Sequence, residues 1–242
     1  MIPYGLPPHR DQAYIKRPLG SGIGRPNSLA DVMAVRPRGI DDLERIGGLL
    51  CIDFSNTLGW RGTPKTNEWI RDYGDLARWS RKSGILDEED TTHLLVYAKQ
   101  HPGQAEQALE TARTLRESLY GILSALAHGR TSPKSDLDTL NRMLPVAMGK
   151  LQLAPGEESF QWQWQHEVDA LDGLLNPVVR SAAELLTSSH VTRLKECANE
   201  GCGWIFLDTS RNRSRRWCDM RECGNRVKAR RHYRRLKHSE TT

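Results

Sequence analysis

Four cysteines in the C-terminal part of the chain have the spacing to share one metal ion. They stand as Cys197-x4-Cys202 and Cys218-x4-Cys223, with fifteen residues between the pairs. Zinc takes four tetrahedral ligands and favours thiolates, and two close pairs joined by a hairpin-sized gap can converge on it. With four thiolates on offer, His232 and His238 are spare. Two other uses of cysteine compete. Disulfides would need an oxidising compartment, which nothing in the chain marks, and the common iron–sulfur spacings differ from these. The expectation is one zinc ion with a structural role, because four thiolates leave no position open for water. The fifth cysteine, Cys51, lies in an apolar run and reads as a small buried hydrophobe.

The elements around the cysteines follow from their patterning. Trp204 to Leu207 reads as a short strand, Asp208 to Ser214 as a polar tip, and Arg215 to Trp217 as the returning strand. From Asn225 to Lys237 there is no Gly or Pro, which predicts a helix. On it Ala229, Tyr233 and Leu236 make a narrow apolar stripe, expected to pack on Phe206 or Trp217. Such a unit of about 45 residues cannot stabilise itself by core burial alone, so metal binding would complete its folding.

The charge of this region is uneven with the rest. The chain carries +5 overall, but residues 193–242 hold 14 Lys/Arg against 6 Asp/Glu, a net of +8, leaving −3 for residues 1–192. A basic appendage on an acidic-leaning body is the asymmetry of a nucleic-acid binder. The basic residues fall in two groups: Arg211, Arg213, Arg215 and Arg216 at the tip, and Arg226, Lys228, Arg230, Arg231, Arg234, Arg235 and Lys237 along the helix. Asn225, Arg226 and Arg230, at the helix start, are candidates for base contacts, and Arg234 and Lys237 for phosphate.

Cys223-Gly224-Asn225-Arg226 spells CGNR, preceded by FLDTSRNRSRRWC from Phe206 to Cys218. This resembles the CGNR zinc finger of bacterial proteins described as stress-induced transcription regulators. In that family the finger follows an N-terminal domain called ABATE, whose opening motif resembles Leu50-Cys51-Ile52-Asp53-Phe54-Ser55-Asn56-Thr57. The resemblance covers about residues 45–237. It implies that Cys197, Cys202, Cys218 and Cys223 bind zinc and that the finger binds DNA; it says little of an effector.

The rest of the chain is read as α+β: a mainly helical N-terminal domain with a small antiparallel sheet, then the small finger. Residues 1–44, with six of the twelve prolines falling before residue 41, read as a disordered leader. Residues 45–192 are the ABATE-like domain, 193–237 the finger and 238–242 a tail. Within the body, Leu49–Phe54 reads as a buried strand. Asp75–Lys82, a segment capped by Asp87, Gln104–His128 and a segment begun by Ser132-Pro133 read as helices. Lys150–Leu153 and Phe160–Gln165 alternate as a hairpin, with Leu151, Leu153, Phe160, Trp162 and Trp164 as its buried face. Val168–Ser188 reads as one helix bent at Pro177.

Asp53, Asn56 and Arg61 form the body's one polar cluster that suggests a small-molecule effector site, although local hydrogen bonds that tie down a turn are the favoured reading of them. No nucleophile elbow, zinc-protease motif or Walker loop is present, so a non-enzyme is expected. The leading reading is a cytoplasmic, nucleoid-associated DNA-binding transcription regulator with a sensing or homodimerising body. An RNA-binding or ribosome-associated protein and a protein–protein adaptor are the alternatives.

Overall fold

In the computed structural model, residues 39–156, 159–165 and 169–239 are described. The leader expected over residues 1–44 falls almost wholly outside them. Seven α-helices and three separate two-stranded antiparallel sheets make up the described chain.

Helix α4 (Pro102–Ala127) is the axis. At 1.5 Å per residue it runs about 39 Å, and Leu115, Leu119, Ile122 and Leu123 form its buried stripe, as their spacing predicts. Around it pack α1 (Leu50–Ser55), α2 (Tyr73–Lys82), α3 (Glu88–Gln100) and α5 (Lys134–Gly149), while α6 (Asn176–Thr187) closes against α1 and α5. Asp72 caps α2 by accepting from the Asp75 N–H at 2.7 Å, and Asp87 caps α3 through the Asp90 N–H at 2.8 Å.

Three expectations need correction. Leu49–Phe54 is not a strand: it is mostly α1, with the Asp53 N–H bonded to Leu49 O at 2.9 Å and the Asn56 N–H to Ile52 O at 3.0 Å. Cys51 to Ser55 are all buried, and a run buried on every side has no polar face to reveal its period. Pro177 does not bend a helix; it lies in the first turn of α6, after a short 3-10 turn at Gly173–Leu175, where its missing N–H costs no intrahelical bond. Residues 166–168 of the expected long helix lie outside the described residues. Helix α5 is preceded by Pro133 rather than capped by the Ser132 side chain.

The hairpin of β3 (Leu151–Pro155) and β4 (Phe160–Trp164) has the expected register, Leu151 opposite Trp164 and Leu153 opposite Trp162. Its apolar face is not buried, however: Leu153, Phe160 and Trp162 are 61%, 73% and 52% exposed. Period-two alternation reveals which side chains share a face, not whether anything covers it.

A second hairpin, β1 (Leu58–Gly59) with β2 (Asn67–Glu68), is pinned to α4 by a bidentate ion pair. The buried Arg116 guanidinium meets both Glu68 oxygens, at 2.6 and 2.7 Å. The third pairs β5 (Leu194–Glu196) with β6 (Ile205–Leu207) and belongs to the metal centre. The described residues from Ile40 onward form one compact unit, and Leu194, Ile205 and Leu207 lie in the same core cluster as the helices.

Candidate metal centre and nucleic-acid interface

The β5–β6 hairpin encloses the first cysteine pair. This departs from the expected arrangement, in which Arg215–Trp217 returned as the partner strand of residues 204–207. The partner is Leu194–Glu196, and the chain after β6 comes back irregularly, with the Ala198 N–H bonded to Arg216 O at 2.8 Å. The turn between Cys197 and β6 runs through Gly201 and Gly203, at φ +79° and +69°, a backbone region where a side chain would be strained. Cys218 precedes a five-residue π-turn, Met220–Gly224, which carries Cys223 and leads into α7 (Asn225–Ser239).

The four cysteines are buried, and their sulfurs all lie within 4.8 Å of one another. Cys202 to Cys218 measures 3.7 Å, and Cys223 is 3.6 Å from each of them. A zinc–thiolate bond of about 2.3 Å gives a tetrahedron whose edge is about 3.8 Å, whereas a disulfide needs about 2.05 Å. The donor set therefore fits one tetrahedral zinc ion, and a cluster of several metals has no room. Backbone and side-chain donors complete the thiolate shell: the Cys218 N–H points at Cys197 Sγ (3.4 Å) and Asn199 Nδ2 at Cys223 Sγ (3.3 Å).

A buried carboxylate organises the loop beyond β6. Asp208 accepts from Lys195 Nζ at 2.6 Å, Ser210 N–H at 3.0 Å, Ser210 Oγ at 2.6 Å and Arg215 N–H at 3.1 Å. Burial alone would raise its pKa, but the Lys195 and Ser210 bonds hold it far below the usual carboxylate range.

The basic residues divide by environment. Arg215 works inward: its guanidinium lies 4.3 Å from the centre of the buried Phe206 ring and donates to Trp217 O, Ile46 O and Cys218 O. Arg211, Arg213 and Arg216 are exposed on the loop, as are Lys228 and Arg231 on α7. Arg226 stacks 4.8 Å from the Trp60 ring centre and lies 3.9 Å from Glu222. Arg230 donates to Asn199 Oδ1 at 3.2 Å and lies 4.0 Å from Glu200. Asn225 is exposed at the helix start. The side chains of Arg234, Arg235 and Lys237 lie outside the described residues. The expected apolar stripe does not pack: Tyr233 is 67% and Leu236 46% exposed. Near its start, helix α7 meets the rest of the protein through Arg226 and Arg230.

Asp53, Asn56 and Arg61 are brought to the joint between body and finger, each engaged within the protein. Asp53 accepts from the Gly47 N–H at 2.8 Å. The buried Asn56 amide pairs with both backbone groups of Ile205. Arg61 donates to Ser55 O at 3.1 Å, pairs with Glu117 and stacks 3.9 Å from the Tyr120 ring centre. The Leu207 N–H bonds Gly47 O at 2.8 Å and the Trp60 N–H bonds Cys202 O at 3.1 Å. Sequence reasoning missed Trp60, Asn199 and Asp208. Asn199 was open to notice, as a short amide within the Cys-x4-Cys turn; Trp60 carries no local signal.

The geometry defines a four-cysteine zinc finger continuous with an α+β body. Two family models match: ABATE, described as "Putative stress-induced transcription regulator", over residues 48–189, and the CGNR zinc finger over residues 193–236. The chain belongs to the ABATE family and ends in a CGNR zinc finger. No curated protein matches it. Among the described residues no helix is long and apolar enough to cross a membrane.

Proposed function

We propose that the protein is a DNA-binding transcription regulator whose finger contacts duplex DNA and whose body holds and pairs the fingers. The observation that carries this reading is the exposed cationic rim around the zinc site: Arg211, Arg213 and Arg216 on the loop, Lys228 and Arg231 on α7. Phosphates attract such a rim strongly, and with a net −3 on residues 1–192 the attraction is concentrated at the finger. Like charges crowded along α7 repel one another, and phosphates would relieve that. The zinc ion, filled by four thiolates, supports the fold rather than a reaction, and we read no catalytic activity. A regulator of this kind works in the bacterial cytoplasm, at the nucleoid.

For pairing, the body offers the apolar face of β3–β4, where Leu153, Phe160 and Trp162 are exposed. Gln152, Gln161 and Gln163 form the opposite face, so no formal charge lies on either strand. A face that meets its own copy across a two-fold axis must avoid like charges, which favours a second copy of this chain as the partner. For small-molecule sensing, the body has a cleft floored by Leu86, Leu94 and Leu174 and rimmed by Trp164, His93 and Asp172.

The test is selection of bound duplexes from a random DNA pool with zinc-loaded protein, followed by titration at several salt concentrations. Enrichment of a sequence, with affinity falling steeply as salt rises, supports the reading. Equal binding to single-stranded RNA and duplex DNA, or none to either, would overturn it.

A further inference from the structure

The β1–β2 hairpin of the body ends in a loop, residues 60–66, that lies directly against the zinc turn. The Trp60 N–H donates to Cys202 O at 3.1 Å. A Cβ placed on Gly201 would sit 3.1 Å from Thr63 Cγ2 and 3.5 Å from the Trp60 ring, so loop and turn are in van der Waals contact. The loop is braced from within: Thr63 Oγ1 and Thr66 Oγ1 both donate to Trp60 O, at 2.8 and 3.0 Å, and Thr66 Oγ1 reaches Thr63 O at 2.7 Å. Its base is fixed to α4 by the Arg116–Glu68 pair. Trp60 itself sits at φ +55°, unusual for a bulky residue and a mark of a position held by its surroundings.

We infer that this loop is part of the nucleic-acid surface, with Trp60 positioning Arg226 and Lys65 contacting a phosphate of its own. The inference rests on the reading that the finger binds duplex DNA. A guanidinium has five N–H donors in its plane and an aromatic-binding face perpendicular to them. With its central carbon over the Trp60 ring, 4.8 Å from the ring centre, Arg226 is held at the loop while its side chain stays 44% exposed and its N–H donors stay open to solvent. Stacking narrows the rotamers of a long side chain before DNA arrives, so less freedom is lost on binding. Glu222, 3.9 Å away, is beyond hydrogen-bond distance and leaves those donors free for an acceptor on DNA. Lys65 stands exposed on the loop and has no ion pair among the described residues. Its neighbours Pro64, Thr66 and Asn67 are exposed and uncharged, so nothing adjacent in sequence repels a phosphate. The body thus contributes to the binding surface as well as holding the finger.

The experiment uses the full-length zinc-loaded protein and the duplex selected above, titrated at several salt concentrations. Lys65→Ala is expected to reduce the log–log salt slope by about 1. Trp60→Ala is expected to weaken binding on the order of tenfold with zinc content unchanged, and Trp60→Phe to restore most of it. Because Trp60 acts through Arg226, the Trp60→Ala/Arg226→Ala double variant should bind as weakly as Arg226→Ala alone. A merely structural Trp60 would give additive losses, which overturns its assignment. A parental slope in Lys65→Ala and parental affinity in Trp60→Ala, with Arg226→Ala impaired, would remove the loop from the surface and leave the finger's role standing. If the parent protein binds no DNA, the functional reading fails and this inference with it. Should Trp60→Ala fail to fold, Trp60→Phe and Lys65→Ala decide the question.

Discussion

The Asn56 amide grips both backbone polar groups of Ile205, accepting from its N–H at 2.9 Å and donating to its carbonyl at 2.8 Å, across 149 residues of chain. It serves β6 as a neighbouring strand would. Asn56→Ala would leave a buried N–H and a buried C=O unpaired, so a loss of about 2–4 kcal/mol is expected. Asn56→Asp should lose nearly as much, because an ionised acid cannot donate to the carbonyl. Urea unfolding of the three proteins checks this, and a parental midpoint for Asn56→Ala would show the pairing to be dispensable.

Zinc content should be one ion per chain, and Cys197→Ser, Cys202→Ser, Cys218→Ser or Cys223→Ser should each abolish tight binding, with Cys51→Ser without effect on metal. Treated as an appendage, the finger would unfold alone when its metal is removed. Since Leu194, Ile205 and Leu207 belong to the body's core, chelation should instead lower the melting temperature of the helices too. Circular dichroism at the helix band, with and without chelator, measures this.

Asp208 should be the most sensitive carboxylate in the finger. Asp208→Ala removes the ion-pair partner of Lys195, which keeps only the Arg213 and Arg215 carbonyls, and the acceptor of three other donors, an expected cost of about 3 kcal/mol. Because the folded-state value is depressed, the aspartate's contribution is complete above the unfolded carboxylate range near pH 4 and is lost as pH falls below it. The gap in stability between parent and variant should be constant from pH 6 to 8 and narrow in acid. A gap that widened in acid would contradict the sign.

The arginines of the loop should separate into two classes. Arg215→Ala is expected to reduce stability and zinc retention, since its guanidinium packs on Phe206 and bonds three carbonyls. Arg211→Ala and Arg216→Ala should change stability by less than about 0.5 kcal/mol while each takes about 1 from the salt slope on DNA. Melting curves paired with salt titrations distinguish the classes.

The hairpin face can be tested by charge. Phe160→Glu and Trp162→Glu place carboxylates where a two-fold partner would repeat them, so sedimentation should show dimer giving way to monomer. A parent that is monomeric at every concentration would remove the hairpin as a pairing surface.

The parts of this fold legible in sequence are those fixed by short-range rules. Asp87 caps its helix as expected, because a carboxylate three residues before an orphan N–H can reach it; Asp72 does the same for α2, which starts two residues earlier than its expected bound at Asp75. The cysteine spacing revealed the metal centre for the same reason. What was hidden depends on the other side of a contact. Cys51–Ser55 gave no period because every face is covered; the apolar face of β3–β4 and the stripe of Tyr233 and Leu236 read as buried though Leu153, Phe160, Trp162, Tyr233 and Leu236 are exposed. Arg215 and Arg211 are alike in sequence, and only Phe206 and the carbonyls around it make one of them core.

The pairing of β6 with Asn56 also bears on how the protein is made. During synthesis the helices emerge first, yet their core is incomplete until Leu194 to Leu207 have left the ribosome. A chain cut at the boundary between the two family segments would expose the apolar patch those strands cover, and would look to a protease like an unfinished product. For the same reason the two segments are not interchangeable parts. A body joined to a foreign finger needs an Ile205-like strand to offer Asn56, or it forms a seam that does not close.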